Sequence, residues 1–289
     1  MSQAPATVGP YRVIAPFPGP LGRLPVAESR FLARSGDGGR TVLVCVPLPE
    51  SDRGRWAAEA ATAARLTVPG FLPVTEADPT AELPWYATPY VPLLTLPGAL
   101  AAHGGPLPER TVLALGSSLA AGLAAAHAKG VVHAGLSPSA VFLSTEGPRV
   151  GSFGAVRAVG PDGEARDGVP WLTAGCVAPE QAAGGRPRPL GDVHALGAVL
   201  AFAATGHTAP ERDELPASLR AAVAACLSRD PARRPRAAEL AHRLTSTAVA
   251  SQATVLDATA ALPLPAGIIA ALARQSASVL AADPPLAPR

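Results

Sequence analysis

The order of two kinds of segment along the chain limits its possible folds. Four short runs in residues 11–91 are rich in β-branched and aromatic residues, and Gly, Pro and Asp separate them: YRVIA, RFLAR, TVLVCV and WYATPYV. Residues 52–66 between them predict a helix, because they contain good helix formers and no proline. The first third of the chain is therefore predicted to be mainly a β-sheet with one helix.

The rest of the chain predicts helices. In ERTVLALGSSLAAGLAAAHAKG, apolar residues recur every three or four positions and form one helix face, with Gly130 as the expected C-cap. That face consists of Val112, Leu115, Leu119, Leu123 and Ala126. The segment GDVHALGAVLAFAATG is apolar nearly all round, which predicts a buried helix that ends at Gly206. Two further helices are predicted in PASLRAAVAACLSRD and RPRAAELAHRLTS. Strands first and helices later predict an α+β fold.

Composition excludes several classes of function. The net charge is +2, from 24 basic and 22 acidic residues without a basic block, so nucleic acid and anionic membranes are not expected partners. The cysteines Cys45, Cys176 and Cys226 lie far apart without a CxxC pair, which argues against disulfides and zinc. The N-terminus has no secretory pattern, and no apolar run reaches the roughly 18 residues of a membrane span. We expect a soluble cytoplasmic protein without a membrane span.

Six segments occur in an order and spacing that resemble the protein kinase fold, especially that of bacterial serine/threonine protein kinases. They are TVLVCV, HAGLSPSAVFL, SFG, AGCVAPEQA, GDVHALGAVL and CLSRDPARRPRAAEL. The resemblance covers residues 11–245 and implies a two-lobed protein kinase-like fold. We expect a disordered leader (1–10), a β-rich N-lobe with one main helix (11–91), a helical C-lobe (92–245) and an Ala/Pro-rich tail (246–289).

The resemblance also implies that the charged groups of phosphoryl transfer are missing. The phosphate-contacting lysine position is Cys45, the catalytic aspartate position is Gly135, the loop lysine position is Ser137, and the two metal-ligand positions are Ala140 and Ser152. A thiol supplies no fixed cation, and Mg²⁺ prefers carboxylates to a lone hydroxyl. We therefore expect no catalytic residues, no metal and no cofactor.

The glycine-rich segment of the family is altered as well. The stretch IAPFPGPLGRLPVAESRF keeps Gly19 and Gly22 but adds four prolines, each of which removes a backbone N–H donor. These prolines are Pro16, Pro18, Pro20 and Pro25. We expect that the segment does not form the usual hairpin over a triphosphate. A residual pocket would then be lined by Gly19, Gly22, Cys45 and Thr88, where Thr88 matches the gatekeeper before the hinge.

Other matched positions have structural roles in the family. His133 would brace the loop, Asp192 would accept its N–H groups, and Glu180 would pair with Arg234. Phe153 and Gly154 retain the apolar part of the metal motif. Glu59 matches the helix glutamate that pairs with the lysine, and the sequence predicts that it has lost this partner. A solvated helix residue is an equal interpretation of Glu59.

These residues favour a catalytically inactive pseudokinase that binds another protein as a scaffold or allosteric regulator. Two alternatives stay open: a nucleotide or small-molecule sensor, and an atypical transferase with a rearranged pocket. The candidates for such chemistry are Glu59, Asp37, Asp52 and His133.

The tail contains PAGIIAALARQSASVLAA, which places apolar residues on one face of a possible amphipathic helix. The face consists of Ile268, Ile269, Leu272, Ser276, Val279 and Leu280. This helix either packs on its own domain, which we favour, or docks a partner or a second copy to form a homodimer.

Overall fold

The computed structural model describes residues 5–17, 28–166, 168–251 and 262–282. The N-terminal part contains an antiparallel six-stranded sheet in the order β1-β2-β3-β4-β6-β5. Its strands are β1 (Thr7–Val8), β2 (Tyr11–Phe17), β3 (Glu28–Ser35), β4 (Thr41–Pro47), β5 (Glu76–Asp78) and β6 (Trp85–Pro89). Helix α1 (Arg53–Ala63) follows β4, and the side chain of Asp52 caps its N-terminus by accepting the Arg55 N–H.

The C-terminal part is helical. It comprises α2 (Leu96–His103), α3 (Glu109–Ala128), α4 (Ala155–Val159), α5 (Pro179–Ala182), α6 (Pro189–Thr205), α7 (Ala217–Cys226), α8 (Ala237–Ser251) and α9 (Ala266–Ala281). A small sheet, β7 (Leu94–Thr95), β8 (Val141–Ser144) and β9 (Gly147–Val150), lies beside the loops between the two parts. The predicted α+β fold with a β-rich N-lobe and a helical C-lobe is confirmed.

The helical core follows the sequence pattern. All five apolar residues predicted for one face of α3 are buried, and four of them, Val112, Leu115, Leu119 and Leu123, pack in one cluster with α6 and α8. Helix α6 is buried nearly all round and ends at Gly206, whose φ of 92° is left-handed. Among the described residues, α3 alone is long and apolar enough to cross a membrane, and here it is a largely buried core helix.

One N-terminal expectation differs from the structure. Residues 5–10 are not a disordered leader, because Thr7 pairs with Arg12 and Val8 with Tyr11; residues 1–4 lie outside the described residues. Strands β2 and β3 pair antiparallel, with Pro16 opposite Phe31. The expectation that the segment between them does not form the usual hairpin over a triphosphate stays a prediction. Among the described residues, β1 pairs with β2 only at Tyr11 and Arg12, so no ladder partner from β1 requires an N–H at Pro16.

The segment between β2 and β3, residues 18–27, lies outside the described residues and includes Gly19, Gly22, Pro18, Pro20 and Pro25. The rest of the predicted lobe boundaries stay predictions.

The tail helix predicted from the sequence is α9, which packs on α2 and β7 of its own domain. Its buried face contains Ile268, Leu272 and Val279, whereas Ile269 and Leu280 are exposed. The predicted face was therefore too broad. The buried positions follow a spacing of four and seven residues, which places Gln275 on the inner face instead.

Candidate functional site

The cleft between the two parts contains a cation that the sequence analysis missed. Cys45 on β4 is buried, and burial raises the pKa of its thiol far above the ordinary value, so the side chain is neutral. Directly opposite Cys45 in the sheet register is Arg30 on β3. The charge that position 45 lacks is thus present on the neighbouring strand, although Arg30 looked like an ordinary residue of the run RFLAR.

The Arg30 side chain joins the sheet to the loops of the helical part. Its Nη1 donates to the Ser139 carbonyl at 2.9 Å, and its Nη2 donates to Ser152 Oγ at 2.5 Å. The guanidinium also lies over the Phe142 ring, 4.8 Å from its centroid. Arg30 is only 4% exposed, so its charge acts in a poorly hydrated environment.

Glu28 is the counter-ion of Arg30. Its Oε1 accepts from Arg30 Nε at 2.9 Å and from Ser152 Oγ at 3.1 Å, and its Oε2 accepts from the Tyr86 hydroxyl at 2.9 Å. Burial by itself lowers the pKa of Arg30, but the attraction and hydrogen bond of Glu28, together with the effects of Cys45 and Tyr86, outweigh burial and keep this pKa above its ordinary value. Desolvation of the two charges is offset by the hydrogen bonds that surround them.

The loop between α3 and β8 lies against the loop before α4. A Cβ atom on Gly135 would lie 2.1 Å from the Ser152 carbonyl oxygen and 3.0 Å from the Ala155 nitrogen. Both neighbours are backbone atoms, so no side chain fits at position 135 in this arrangement. Ser137 and Ala140 are also buried.

Asp192 at the start of α6 holds the same loop. Its carboxylate accepts the N–H groups of His133 and Ala134, both at 2.8 Å, and contacts His127 Nε2 at 2.9 Å. The His133 ring is fully buried, with the rings of Phe71 and Phe153 edge-on at 5.0 and 5.8 Å. Burial lowers the pKa of His133 to about 4, so the imidazole is neutral at physiological pH.

Glu59 on α1 pairs with a residue other than the lysine of the family, and the sequence did not indicate this partner. Arg157 of α4 donates from Nη2 to Glu59 Oε2 at 2.7 Å and from Nε to Oε1 at 2.9 Å. The family resemblance placed the partner on β4, but the structure supplies it from the segment after Phe153 and Gly154. Gly154 has a φ of 76°, and a Cβ there would lie 2.1 Å from Glu59 Oε2, so this contact requires glycine.

An ion pair joins α5 to the segment before α8. Arg234 donates to both carboxylate oxygens of Glu180, at 2.6 and 2.8 Å, and its Nη1 also donates to the Leu190 carbonyl at 3.1 Å. The hydrogen bond and charge of Arg234 hold the pKa of Glu180 below its ordinary value despite partial burial. The structure thus places the two residues as the resemblance implied.

Asp37 and Asp52, the two aspartates named as candidates for the chemistry of an atypical transferase, lie outside the cleft. Asp37 lies in the exposed turn after β3, where it accepts from Ser35 and the Gly39 N–H, and Asp52 caps α1. Thr88 is buried on β6, and its hydroxyl has no hydrogen-bond partner within the described part of the chain. Of the predicted pocket residues, Cys45 and Thr88 are buried on the neighbouring strands β4 and β6, and Gly19 and Gly22 lie outside the described residues.

Two cavities flank the Arg30 network. One, whose empty volume of about 510 Å³ includes space open to solvent, is lined by Glu28, Trp56, Tyr86 and Phe153 among others. The second, whose empty volume of about 420 Å³ also includes space open to solvent, is lined by Gly135, Ser137, Trp171 and Asp192 among others. Ser152 borders both cavities, and neither is lined by Cys45 or Thr88.

The family's metal does not fit these residues. Ala140 offers a methyl group, and the Ser152 hydroxyl already contacts Arg30 and Glu28. In the described ranges, no group of three or more His, Cys, Asp or Glu side chains could hold a metal ion.

Comparison with known proteins identifies the relatives of this chain. No family model matches the chain. The probable serine/threonine-protein kinase PkwA of Thermomonospora curvata is 39% identical over 84% of this chain and 35% of its own length. The serine/threonine-protein kinase AfsK of Streptomyces griseus is 33% identical over 91% of this chain and 35% of its own length. The chain thus spans about a third of the length of these relatives.

A solved structure shows the same fold. The structure of Rad53 residues 1–466 in complex with AMP-PNP superposes with a TM-score of 0.61 at 17% identity and covers 81% of this chain and 64% of that one. At this identity the match shows the fold alone.

These relatives overturn the expectation of an inactive pseudokinase that is not an enzyme. Chains 33–39% identical over 84–91% of this sequence are named serine/threonine kinases, which favours kinase activity. Part of the physical reason is that a charge missing at one position can come from another: Arg30 brings a cation to the cleft from the strand beside Cys45. The chain has a protein kinase-like fold, and its homologues are bacterial serine/threonine protein kinases.

Proposed function

We propose that the chain is a serine/threonine protein kinase domain that transfers the γ-phosphoryl group of ATP to a protein hydroxyl. The observation that carries this proposal is the 39% identity with PkwA over 84% of the chain. The second substrate of such a reaction is a protein. Which protein is phosphorylated depends on the partners that the whole protein binds.

Phosphoryl transfer depends mainly on positioning and charge stabilisation, since the transition state is loose and requires little covalent chemistry from the protein. Arg30 is the described cation best placed for this task, because it lies in the cleft opposite Cys45 and is poorly hydrated. A guanidinium is always charged and binds phosphate oxygens in a bidentate manner.

In the structure the two terminal nitrogens of Arg30 are engaged with Ser139 and Ser152. Both acceptors are uncharged, so phosphate oxygens are the stronger acceptors and would replace them when the lobes separate. Glu28 would keep its bond to Nε and so keep the guanidinium aimed at the cleft.

The reaction is a displacement at phosphorus. The bond between the γ-phosphorus and the β,γ-bridging oxygen breaks, ADP leaves with that electron pair, and the hydroxyl oxygen forms the new bond while its proton passes to solvent. The residues of this chain would bind the phosphates and exclude water. No step is assigned to a metal, because the described side chains do not fit one.

The test is phosphate incorporation from radiolabelled ATP at millimolar concentration into a generic Ser/Thr-containing protein such as casein. We expect incorporation by the full chain, and Arg30→Met is expected to lower it at least a hundredfold, whereas Arg30→Lys retains part of it. Arg12→Met is the matched control, because Arg12 lies exposed on the neighbouring strand β2. Background incorporation by the full chain, or full activity of a folded Arg30→Met variant, would refute the proposal.

A further inference from the structure

The tail helix α9 connects two separate parts of the core. Its first half is anchored on the helical part: Ile268 and Leu272 belong to the large cluster of α3 and α6, and Gly267 packs closely on the Ala102 carbonyl. Its second half reaches a different buried cluster through Val279. The helix therefore runs from the C-lobe core to the cleft between the lobes.

The second half of α9 binds the segment that joins the lobes. Gln275 Oε1 accepts the backbone N–H of Leu93 at 2.8 Å, across 182 positions of sequence. Leu93 is fully buried between β6 and β7, two residues after the end of the hinge run WYATPYV (85–91). A backbone donor beside the hinge is thus occupied by a side chain of the same protein.

Val279 packs into an apolar cluster in the cleft. It is 8% exposed and shares its buried cluster with Phe17 from β2, Leu43 and Cys45 from β4, and Phe142 from β8. These residues come from both lobes, and Phe17 and Phe142 lie with their ring centroids 6.2 Å apart. The next residue of the helix, Leu280, is 71% exposed, so the inward position of Val279 is specific to one face.

The cluster fills the apolar space between the lobes with side chains of the protein. Neither of the two cavities beside the Arg30 network is lined by Phe17, Leu43, Leu93 or Phe142. A flat ring that entered from the hinge would have to displace this packing.

We propose that the C-terminal turns of α9 are an autoinhibitory plug that closes the cleft to a purine ring, with Val279 and Gln275 as its contacts. The proposal rests on the proposed function, in that the excluded ligand is the base of the nucleotide substrate. Ile268 and Leu272 keep the first turns in place while residues 275–281 detach. Apparent nucleotide affinity is then reduced by the fraction of molecules in which the plug is open.

The test is the binding of adenosine, measured by titration calorimetry on the full chain. Adenosine carries no phosphate, so the measurement does not depend on Arg30 or on phosphoryl transfer. We expect Val279→Asp to raise the affinity for adenosine at least tenfold, because a carboxylate is not tolerated in the apolar cluster. Leu280→Asp is the matched control: it adds the same charge one residue later on the exposed face and is expected to leave the affinity unchanged.

A second variant covers the case in which Val279→Asp does not fold. Gln275→Ala is expected to raise adenosine affinity several-fold and to speed hydrogen exchange of the Leu93 amide, which loses its acceptor. Equal or weaker adenosine binding by folded Val279→Asp and Gln275→Ala, relative to the original chain, would overturn the plug. If the variants bind adenosine more tightly but transfer no phosphate, the plug stands and the proposed function fails. If phosphate transfer occurs and adenosine binding is unchanged, the proposed function stands and the plug fails.

Discussion

Replacement of Gly135 by alanine tests the packing of the two loops that meet in the cleft. The new Cβ would lie 2.1 Å from the Ser152 carbonyl oxygen and 3.1 Å from the Ala155 Cβ. An unstrained contact needs about 3.4 Å or more, so the loop holding Ser152 would have to move by more than 1 Å. That oxygen belongs to the backbone and cannot rotate away as a side chain would.

We expect Gly135→Ala to lower the free energy of unfolding by about 3 kcal/mol, at the upper end of the 1–3 kcal/mol typical of overpacked sites. Gly135→Asp, which introduces the carboxylate of the family's catalytic position, is expected to cost at least as much. Gly36→Ala is the control, because the nearest atom to a Cβ there is 4.0 Å away in an exposed turn.

The measurement is urea unfolding followed by tryptophan fluorescence, with linear extrapolation to water for all three variants. Gly36→Ala is expected to change the unfolding free energy by less than about 1 kcal/mol, since it mainly restricts the unfolded chain. Equal stability of Gly135→Ala and Gly36→Ala would refute the close approach of the two loops.

Three further perturbations test the buried polar groups of the scaffold. The pKa of His133 is about 4 in the folded protein, against an ordinary 6.5. Its contribution to the free energy of unfolding is therefore complete above pH 6.5 and falls by about 3 kcal/mol in all as the pH drops towards 4. His133→Phe should remove this part of the pH dependence in urea unfolding between pH 7.5 and 4.5, and an unchanged slope would contradict the burial. Arg234→Ala should cost about 3–5 kcal/mol in chemical denaturation, because it breaks a largely buried ion pair and removes the donor to the Leu190 carbonyl; a melting temperature equal to that of the original chain would show that the pair contributes nothing. Asp192→Asn should lower the free energy of unfolding by about 1–3 kcal/mol in the same assay. The reason is that one amide oxygen cannot replace the two carboxylate oxygens that accept the His133 and Ala134 N–H groups. A variant as stable as the original chain would contradict this reasoning.

The helices show how far the sequence predicts this fold. The apolar face of α3 and the nearly all-apolar α6 were predicted because helical periodicity is a local property that persists over many residues. The short elements β1, β5, β7 and α5 have two to four residues each and were not predicted. Their hydrogen bonds come from neighbouring segments, and they are too short to display a period.

The site was less predictable, because its contacts join distant parts of the chain. The sequence located Cys45, Gly135, Ala140 and Ser152, and these positions indeed carry no charge. It did not locate Arg30, since the run that contains it is buried on both faces and gives no sign of which side chain enters the cleft.

By itself, then, the amino-acid sequence determined the α+β class, the long helices and the absence of charged groups at four positions of the cleft. The tertiary structure decided which charges meet: the register of β3 and β4 sets Arg30 opposite Cys45, and the fold brings Arg157 to Glu59 across 98 positions and Gln275 to Leu93 across 182. The physical reason is that periodicity and capping act over a few residues, whereas the pairing of buried charges and donors depends on strand register and lobe packing, which the whole chain sets together.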